Sequence, residues 1–141
     1  MAALCVHSVP PPPVECHAQS LLDQASVALA NRAFIECGCY LREALREYLC
    51  AECLYHGCPP REKPGVFAAS PRSLASLLKR RNVLDADLFE WIVEVVDVSN
   101  KAVHLHFVPP SRLEAGIGRL QSFLDQSPYL VTPSSTARRM S

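Results

Sequence analysis

Apolar residues recur every three or four positions over most of the chain, which is the period of an amphipathic helix. The pattern predicts helices over residues 16–30, 33–56, 71–81 and 112–126. Ser70, followed by a proline, suits an N-cap of the third helix, and Ser111 with Glu114 has the spacing of a capping box for the last. Gly38 is a weak point in the longest helix, since glycine costs about 1 kcal/mol there relative to alanine.

The segment 86–108 fits two different structures. Apolar residues including Leu88, Ile92 and Val95 form a helical stripe. However, WIVEVVDV is rich in β-branched residues and AVHLHFV alternates, with a Ser-Asn pair between them. That is also the pattern of a two-stranded hairpin over 91–108. Propensity alone leaves the helix and the hairpin both open.

Proline and polar residues mark the ends of the folded part. The prolines at 10–13 predict an extended, flexible tail over residues 1–14. The Thr, Ser and Arg residues near the other end predict a second flexible tail over 129–141. One domain at 15–128 lies between them, a usual size for a single domain.

Charge and composition exclude several classes of protein. Fourteen basic residues balance fourteen acidic ones, and 49% of the residues are apolar. A neutral chain lacks the positive field of a constitutive nucleic-acid coat or a polybasic membrane binder. No apolar run reaches the ~18 residues of a membrane span, and the first residues lack the basic and apolar regions of a secretory leader. We therefore expect a cytoplasmic protein with no membrane partner.

The chain has seven cysteines, which a reducing cytoplasm would keep as thiols. One group of metal-ligating residue types has the spacing C-x2-C-x2-H-x-C at the end of the second predicted helix: Cys50, Cys53, His56 and Cys58. Structural zinc sites add a second pair, and Cys37 and Cys39 lie too far along the same helix to supply it. We expect no metal or other cofactor, with a zinc-stabilised α-domain as the alternative.

Arg42 and Arg46 share one helix face and alternate with Glu43 and Glu47. Such a pattern usually forms a solvated stripe of ion pairs on the helix surface. Each pair stabilises the helix by roughly a few tenths of a kcal/mol. The alternative is that both arginines face the segment around Asn100 and form a small anion-binding pocket.

Two longer stretches carry a pattern that extends over most of the chain. Residues 34–49 read FIECGCYLREALREYL, residues 100–124 read NKAVHLHFVPPSRLEAGIGRLQSFL, and SLASLLKRRNVLD lies between them. In this order they resemble small bacterial members of the HEPN superfamily (higher eukaryote and prokaryote nucleotide-binding domains). The resemblance covers residues 17–127. It implies an all-α, up-and-down bundle of four to five helices, in which 86–106 is helical.

The resemblance also implies a site at Asn100 and His104. Nuclease members of the superfamily use R-x(4–6)-H on one helix, with the arginine and histidine acting on an RNA phosphate. Here the three positions 97–99 that would hold the arginine are Asp, Val and Ser. Arg42 or Arg46 would have to supply it from the second helix, and otherwise Asn100 and His104 hydrogen-bond within the bundle.

The sequence therefore predicts a non-catalytic HEPN-like binding or assembly module. Its expected partners are a second copy of the chain, an RNA or nucleotide, or another protein. The alternative from a different class is a metal-independent ribonuclease that uses His104 as general base or phosphate donor, beside Asn100, together with an arginine of the second helix.

Overall fold

The structure consists mainly of helices, as the spacing of the apolar residues predicts. The computed structural model of the protein describes residues 11–57, 61–63, 66–67, 70–104 and 107–133, with backbone alone for 61–63 and 66–67. These ranges contain five helices: α1 (Ala18–Ala30), α2 (Phe34–Tyr55), α3 (Pro71–Arg80), α4 (Ala86–Val103) and α5 (Pro110–Asp125). The four helices predicted from periodicity have bounds within two residues of those expected. The all-α helical bundle is confirmed.

Two short sheets accompany the helices. β1 (Val14–Glu15) pairs in parallel with β4 (Leu130–Val131), and β2 (Arg61–Lys63) pairs antiparallel with β3 (Val66–Phe67) between α2 and α3. The backbone N–H of Val14 donates to the carbonyl of Tyr129 at 2.9 Å. The folded part therefore extends into both segments that the sequence assigns to flexible tails, at residue 14 and at 129–131. Residues 1–10 and 134–141 of the two predicted tails lie outside the described residues.

Residues 86–103 of the ambiguous segment form a helix, so the hairpin expected as an alternative over 91–108 is wrong. The Asp85 carboxylate caps α4 by accepting the N–H of Leu88 at 2.8 Å. Ile92, Val95 and Ser99 are buried along one face of α4, which packs against α2, α3 and α5. Burial of that face outweighs the β-propensity of its valines, because packing and not intrinsic preference supplies most of a helix's stability in a protein.

The helix starts agree with the sequence in one case and differ in another. The Ser70 hydroxyl accepts the N–H groups of Arg72 and Ser73 at 3.2 and 3.5 Å, so the predicted N-cap of α3 is confirmed. In contrast, α5 begins at Pro110, one residue before the expected cap Ser111. Proline suits the first helical position because its nitrogen carries no hydrogen, and an N–H group at that position would have no acceptor within the helix.

α2 is the central element and packs against each of the other four helices. Its fully buried leucines recur at every fourth position: Leu41, Leu45 and Leu49. Leucines of the neighbouring helices, including Leu74 and Leu120, complete the core around them. Among the described helices, none combines the length and apolarity that crossing a bilayer requires.

Candidate functional site

A pocket of about 630 Å³ opens where the end of α2 meets the α3–α4 connection and the turn after α5. One wall is apolar and consists of Val83, Leu84, Leu88 and Phe123. The polar part of the lining is centred on Glu52, so we refer to this cavity as the Glu52 pocket. Its volume lies within the range of about 300–1,000 Å³ that small-molecule sites occupy.

Glu52 is buried, with 4% of its surface exposed, and accepts hydrogen bonds from three hydroxyl groups. Tyr48 and Ser127 donate to Oε2 at 2.8 and 3.0 Å, and Tyr129 donates to Oε1 at 2.5 Å. The imidazole Nε2 of His56 lies 3.5 Å from Oε1. A buried carboxylate is costly unless it is hydrogen-bonded in this way, so the cluster is a mutually dependent set.

Local helix geometry explains half of this cluster. Tyr48 and Glu52 are four residues apart on α2, and His56, the residue that follows the helix, continues this spacing, which places the three side chains on one face. Ser127 and Tyr129 belong to the turn after α5, which is held by the parallel pairing of β4 with β1. The C-terminal part of α2 and the segment after α5 are thus joined at the carboxylate of Glu52.

Aromatic rings enclose the cluster on two sides. The rings of Tyr55 and Tyr129 stack with centroids 3.7 Å apart, and the His56 ring lies edge-on to Tyr55 at 5.1 Å. On the other side Tyr48 stacks on Phe123 at 5.9 Å. These contacts fix the orientation of both tyrosine hydroxyls that bind Glu52.

The environment of Glu52 keeps the tyrosines protonated. Burial, followed by the charge of Glu52 and its hydrogen bond, raises the pKa of Tyr48 far above its ordinary value. Burial, followed by the hydrogen bond to Glu52, raises the pKa of Tyr129 to about 12. Both hydroxyls therefore remain hydrogen-bond donors throughout the physiological range of pH.

We expect the free energy of unfolding to fall as the pH rises above about 9, because buried acids of the folded chain retain protons that the unfolded chain loses. Burial raises the pKa of the Cys16 and Cys37 thiols from 9.0 to about 11, and that of Tyr129 rises from 10.0 to about 12. The stabilisation is complete below the unfolded values and is lost as the pH passes through the folded ones. Each retained proton contributes a slope of about 1.4 kcal/mol per pH unit.

Urea unfolding at increasing alkaline pH measures this slope. Tyr48→Phe removes one of the retained protons and should make the loss of stability above pH 10 less steep. Tyr40→Phe makes the same change elsewhere on α2 and serves as the matched control. Equal slopes for the two variants would show that the Glu52 cluster does not hold these protons.

Arg42 and Arg46 lie on the surface of α2, and Arg46 belongs to an ion-pair stripe as first interpreted. Its guanidinium donates to the Glu43 carboxylate, with Nε at 2.9 Å, and to Glu47 Oε2 at 3.1 Å. The hydrogen bond to Glu43 is the main reason that the pKa of Arg46 is raised. Both arginines line a smaller pocket of about 360 Å³ together with Val103, the residue before His104. Two glutamates thus already balance the charge of Arg46.

Asn100 lies in the last turn of α4 and His104 directly follows the helix, and the backbone N–H of His104 donates to the Asn100 carbonyl at 3.0 Å. Asn100 is half-buried and His104 is exposed. Within the described ranges neither side chain forms a hydrogen bond or an ion pair, so hydrogen bonding inside the bundle is not what positions them. Among described residues, the pocket of Arg42 and Arg46 is bordered by Val103 but by neither of these two side chains.

The residues of the alternative zinc site diverge. Cys50 is half-buried with its Sγ 4.0 Å from Arg46, Cys53 is buried, and His56 faces Glu52. Cys58 lies outside the described residues. In the part of the chain that the structure describes, no three His, Cys, Asp or Glu side chains are grouped to hold a metal ion.

Sequence reasoning passed over the Glu52 cluster. The available signal was the spacing of Tyr48, Glu52 and His56, which places a carboxylate on a helix face otherwise occupied by buried apolar residues. Its partners Ser127 and Tyr129 are 75 and 77 residues away from Glu52, and no local pattern connects them. Function must be inferred from this geometry, since no protein-family model, curated protein or solved structure matches the chain.

Proposed function

We propose that this chain is a non-catalytic, HEPN-like binding module and that the Glu52 pocket holds its ligand. One observation carries the proposal: a pocket the size of a small-molecule site reaches a buried carboxylate that three hydroxyls hold in place. Ligand sites combine an apolar wall with a few fixed polar groups, and this pocket has both. A carboxylate that served only to join two segments would not require an open cavity beside it.

The arrangement of protons favours binding over catalysis. A serine nucleophile needs its hydroxyl directed at a base such as histidine. Here the Ser127 hydroxyl donates to Glu52, and the His56 imidazole also lies against Glu52. The histidine and the serine are therefore partners of the same carboxylate and not of each other.

The HEPN-like part of the proposal is supported by the order and type of the helices. The resemblance implies an all-α bundle with a helix ending near Asn100 and His104, and α4 ends at Val103. It also implies a long helix carrying Leu-Arg-x-Ala-Leu, which corresponds to α2. The arginine of the superfamily's nuclease members is absent from positions 97–99 of this chain, which is consistent with a module that binds without cleaving.

Filling the Glu52 pocket should abolish ligand binding. Val83 is half-buried on the apolar wall, so Val83→Phe places a ring in the cavity, and we expect fragments identified by NMR screening to bind about tenfold more weakly or not at all. Val27→Phe makes the same change at an exposed position of α1. Gln126→Phe, at an exposed position of the pocket, provides a second blocking variant.

Fluorescence offers an independent readout of the same experiment. Trp91 is the one tryptophan of the chain, and its ring lies 6.5 Å from the ring of Phe123 in the pocket wall. Fragments in the pocket should therefore change its emission in the wild type and in Val27→Phe, but not in Val83→Phe. Fragment affinities that are the same in both blocking variants as in the wild type would contradict the proposal.

One observation favours the alternative, a metal-independent ribonuclease: Arg42 and Arg46 border a pocket together with Val103, which precedes His104. Because two glutamates neutralise Arg46, we expect the intact protein to leave a labelled RNA uncleaved. Cleavage that is lost in His104→Ala and in Arg42→Ala, but kept in the surface control His17→Ala, would establish the ribonuclease instead.

Self-association and a protein partner form a further part of the proposal. Five large apolar side chains are exposed on the described surface: Val27, Ile35, Leu54, Trp91 and Phe107. Phe107, which is 85% exposed, gives the strongest support, because a large exposed apolar side chain favours contact with another surface. Sedimentation equilibrium of the full chain measures whether the module pairs with a second copy.

A further inference from the structure

The part of the Glu52 pocket formed by Glu52 and its hydroxyl partners can be described proton by proton, whereas the amides of Asn82 and Gln126, which also line the pocket, belong to exposed residues. A serine or tyrosine hydroxyl has one proton to donate, and its oxygen can also accept. Tyr48, Ser127 and Tyr129 each direct that proton at Glu52. The three hydroxyls therefore have no proton left for a ligand, and their oxygens present only lone pairs.

Glu52 itself adds to this excess of acceptors. An ionised carboxylate offers about four lone-pair sites and no donor. Tyr48 and Ser127 occupy two sites on Oε2, and Tyr129 occupies one on Oε1. His56 Nε2 lies 3.5 Å from Oε1, longer than a usual hydrogen bond, so a ligand donor that displaces this weak contact reaches the remaining acceptor site on this oxygen.

The charged side chains that line the pocket also favour a hydrogen-bond donor over an acceptor at its inner end. Three ionisable side chains other than the tyrosines line it in the described part of the chain: Glu52, His56 and Arg81. Glu52 is buried at the inner end, whereas Arg81 is an exposed residue at the C-terminal end of α3. Solvent screens the charge of Arg81 more strongly than that of a buried group, so the inner end of the pocket is negative.

We infer that the Glu52 pocket selects a donor-rich cation, namely an amidinium, guanidinium or ammonium group on a small apolar body. The cationic head would donate to Glu52 and to the hydroxyl oxygens around it. The body would pack against the apolar lining residues Val83, Leu88 and Phe123. This inference rests on the proposed function and adds the chemical class of the ligand.

Three compounds of nearly the same shape test the inference. Benzamidine is a cation that only donates, benzamide is neutral and both donates and accepts, and benzoate is an anion that only accepts. Titration of the full chain followed by amide NMR should show benzamidine binding about tenfold or more tightly than benzamide, with no benzoate binding. The shifted resonances should include Ser127 and Val83, which both line the pocket.

Variants separate the pocket from the overall charge. Glu52→Gln introduces a donor and removes the charge, so benzamidine should lose its advantage over benzamide. Glu47→Gln removes the same charge from α2 outside the pocket and should leave the affinities unchanged. The comparison of the three compounds on the wild-type chain does not depend on Glu52→Gln, so the inference remains testable if this variant does not fold.

The outcomes distinguish this inference from the proposed function. Equal binding of the three compounds, or a preference for benzoate, with shifts at the pocket overturns the inference and leaves the binding module standing. Absence of binding by all three, while screened fragments still bind and are blocked by Val83→Phe, has the same meaning. If neither the three compounds nor any fragment perturbs the pocket, both proposals fail.

Discussion

Glu52→Ala is expected to lower the free energy of unfolding by about 3 kcal/mol. The hydroxyls of Tyr48 and Ser127 are buried, with 2% and 4% of each residue exposed, and both lose their acceptor. An unsatisfied buried polar group costs about 1–3 kcal/mol. Tyr129 also loses its link to α2, so the segment that carries β4 is released from the bundle. Water from the adjoining pocket offsets part of this loss.

Urea unfolding of Glu52→Ala and Glu47→Ala measures the effect against a matched control. Glu47 lies on the same helix and forms a half-exposed ion pair with Arg46, so its removal should cost less than about 1 kcal/mol. Amide exchange should also show that the backbone around Tyr129 opens more readily in the Glu52 variant. Similar losses in the two variants would mean that the cluster contributes no more than a surface charge.

Gly38→Ala is expected to destabilise the protein by about 2 kcal/mol, although alanine is the better helix former by about 1 kcal/mol. A Cβ atom at this position would lie 2.6 Å from the Cβ of Ala102 and 3.2 Å from the carbonyl oxygen of Ser99. The first is the only side-chain carbon of Ala102 and the second is a backbone atom of α4, so neither can rotate away. The two helices would have to separate, which loosens the packing of α2 on α4.

Gly118→Ala is the control for this prediction. Gly118 lies on the exposed side of α5, and a Cβ atom there meets nothing within 4 Å. The same substitution should therefore stabilise the protein by about 0.5–1 kcal/mol through helix propensity alone. Thermal and urea unfolding of both variants give the comparison. A stabilised Gly38→Ala protein would contradict the close approach of the two helices.

Gly38 shows how far a local argument reaches. The sequence indicates that glycine weakens a helix, because that cost depends on the helix backbone alone. It gives no sign that the residue is required, since the reason is a neighbouring helix more than sixty residues further along the chain. The same substitution thus has opposite expected effects at Gly38 and Gly118.

Local patterns were sufficient for the ion pairs and for most of the helices. Arg46, Glu43 and Glu47 are close in sequence, so their pairing follows from helix geometry. The N-cap at Ser70 follows from the identity of the next residues. The segment at 86–103 lacked such a signal, because its valines suit both a strand and a buried helix face.

The Glu52 cluster could not be derived in this way. Its helical half, Tyr48 with Glu52 and His56, has a regular spacing that the sequence displays. Its other half consists of Ser127 and Tyr129. Tyr129 is the first residue of the segment whose composition predicts a flexible tail, and Ser127 lies just before that segment. The pairing of β4 with β1 brings that segment back to α2.

The sequence by itself determined the positions of four helices, the N-cap of α3 and the ion-pair stripe on α2. These features depend on residues within a few positions of one another, where helix geometry fixes which side chains are neighbours. Only the tertiary structure decided that α4 is a helix, that Gly38 is a point of close approach, and that Glu52 lies at the inner end of a pocket. Each of these depends on contacts between elements far apart in the chain, and such contacts arise from the packing of the whole bundle.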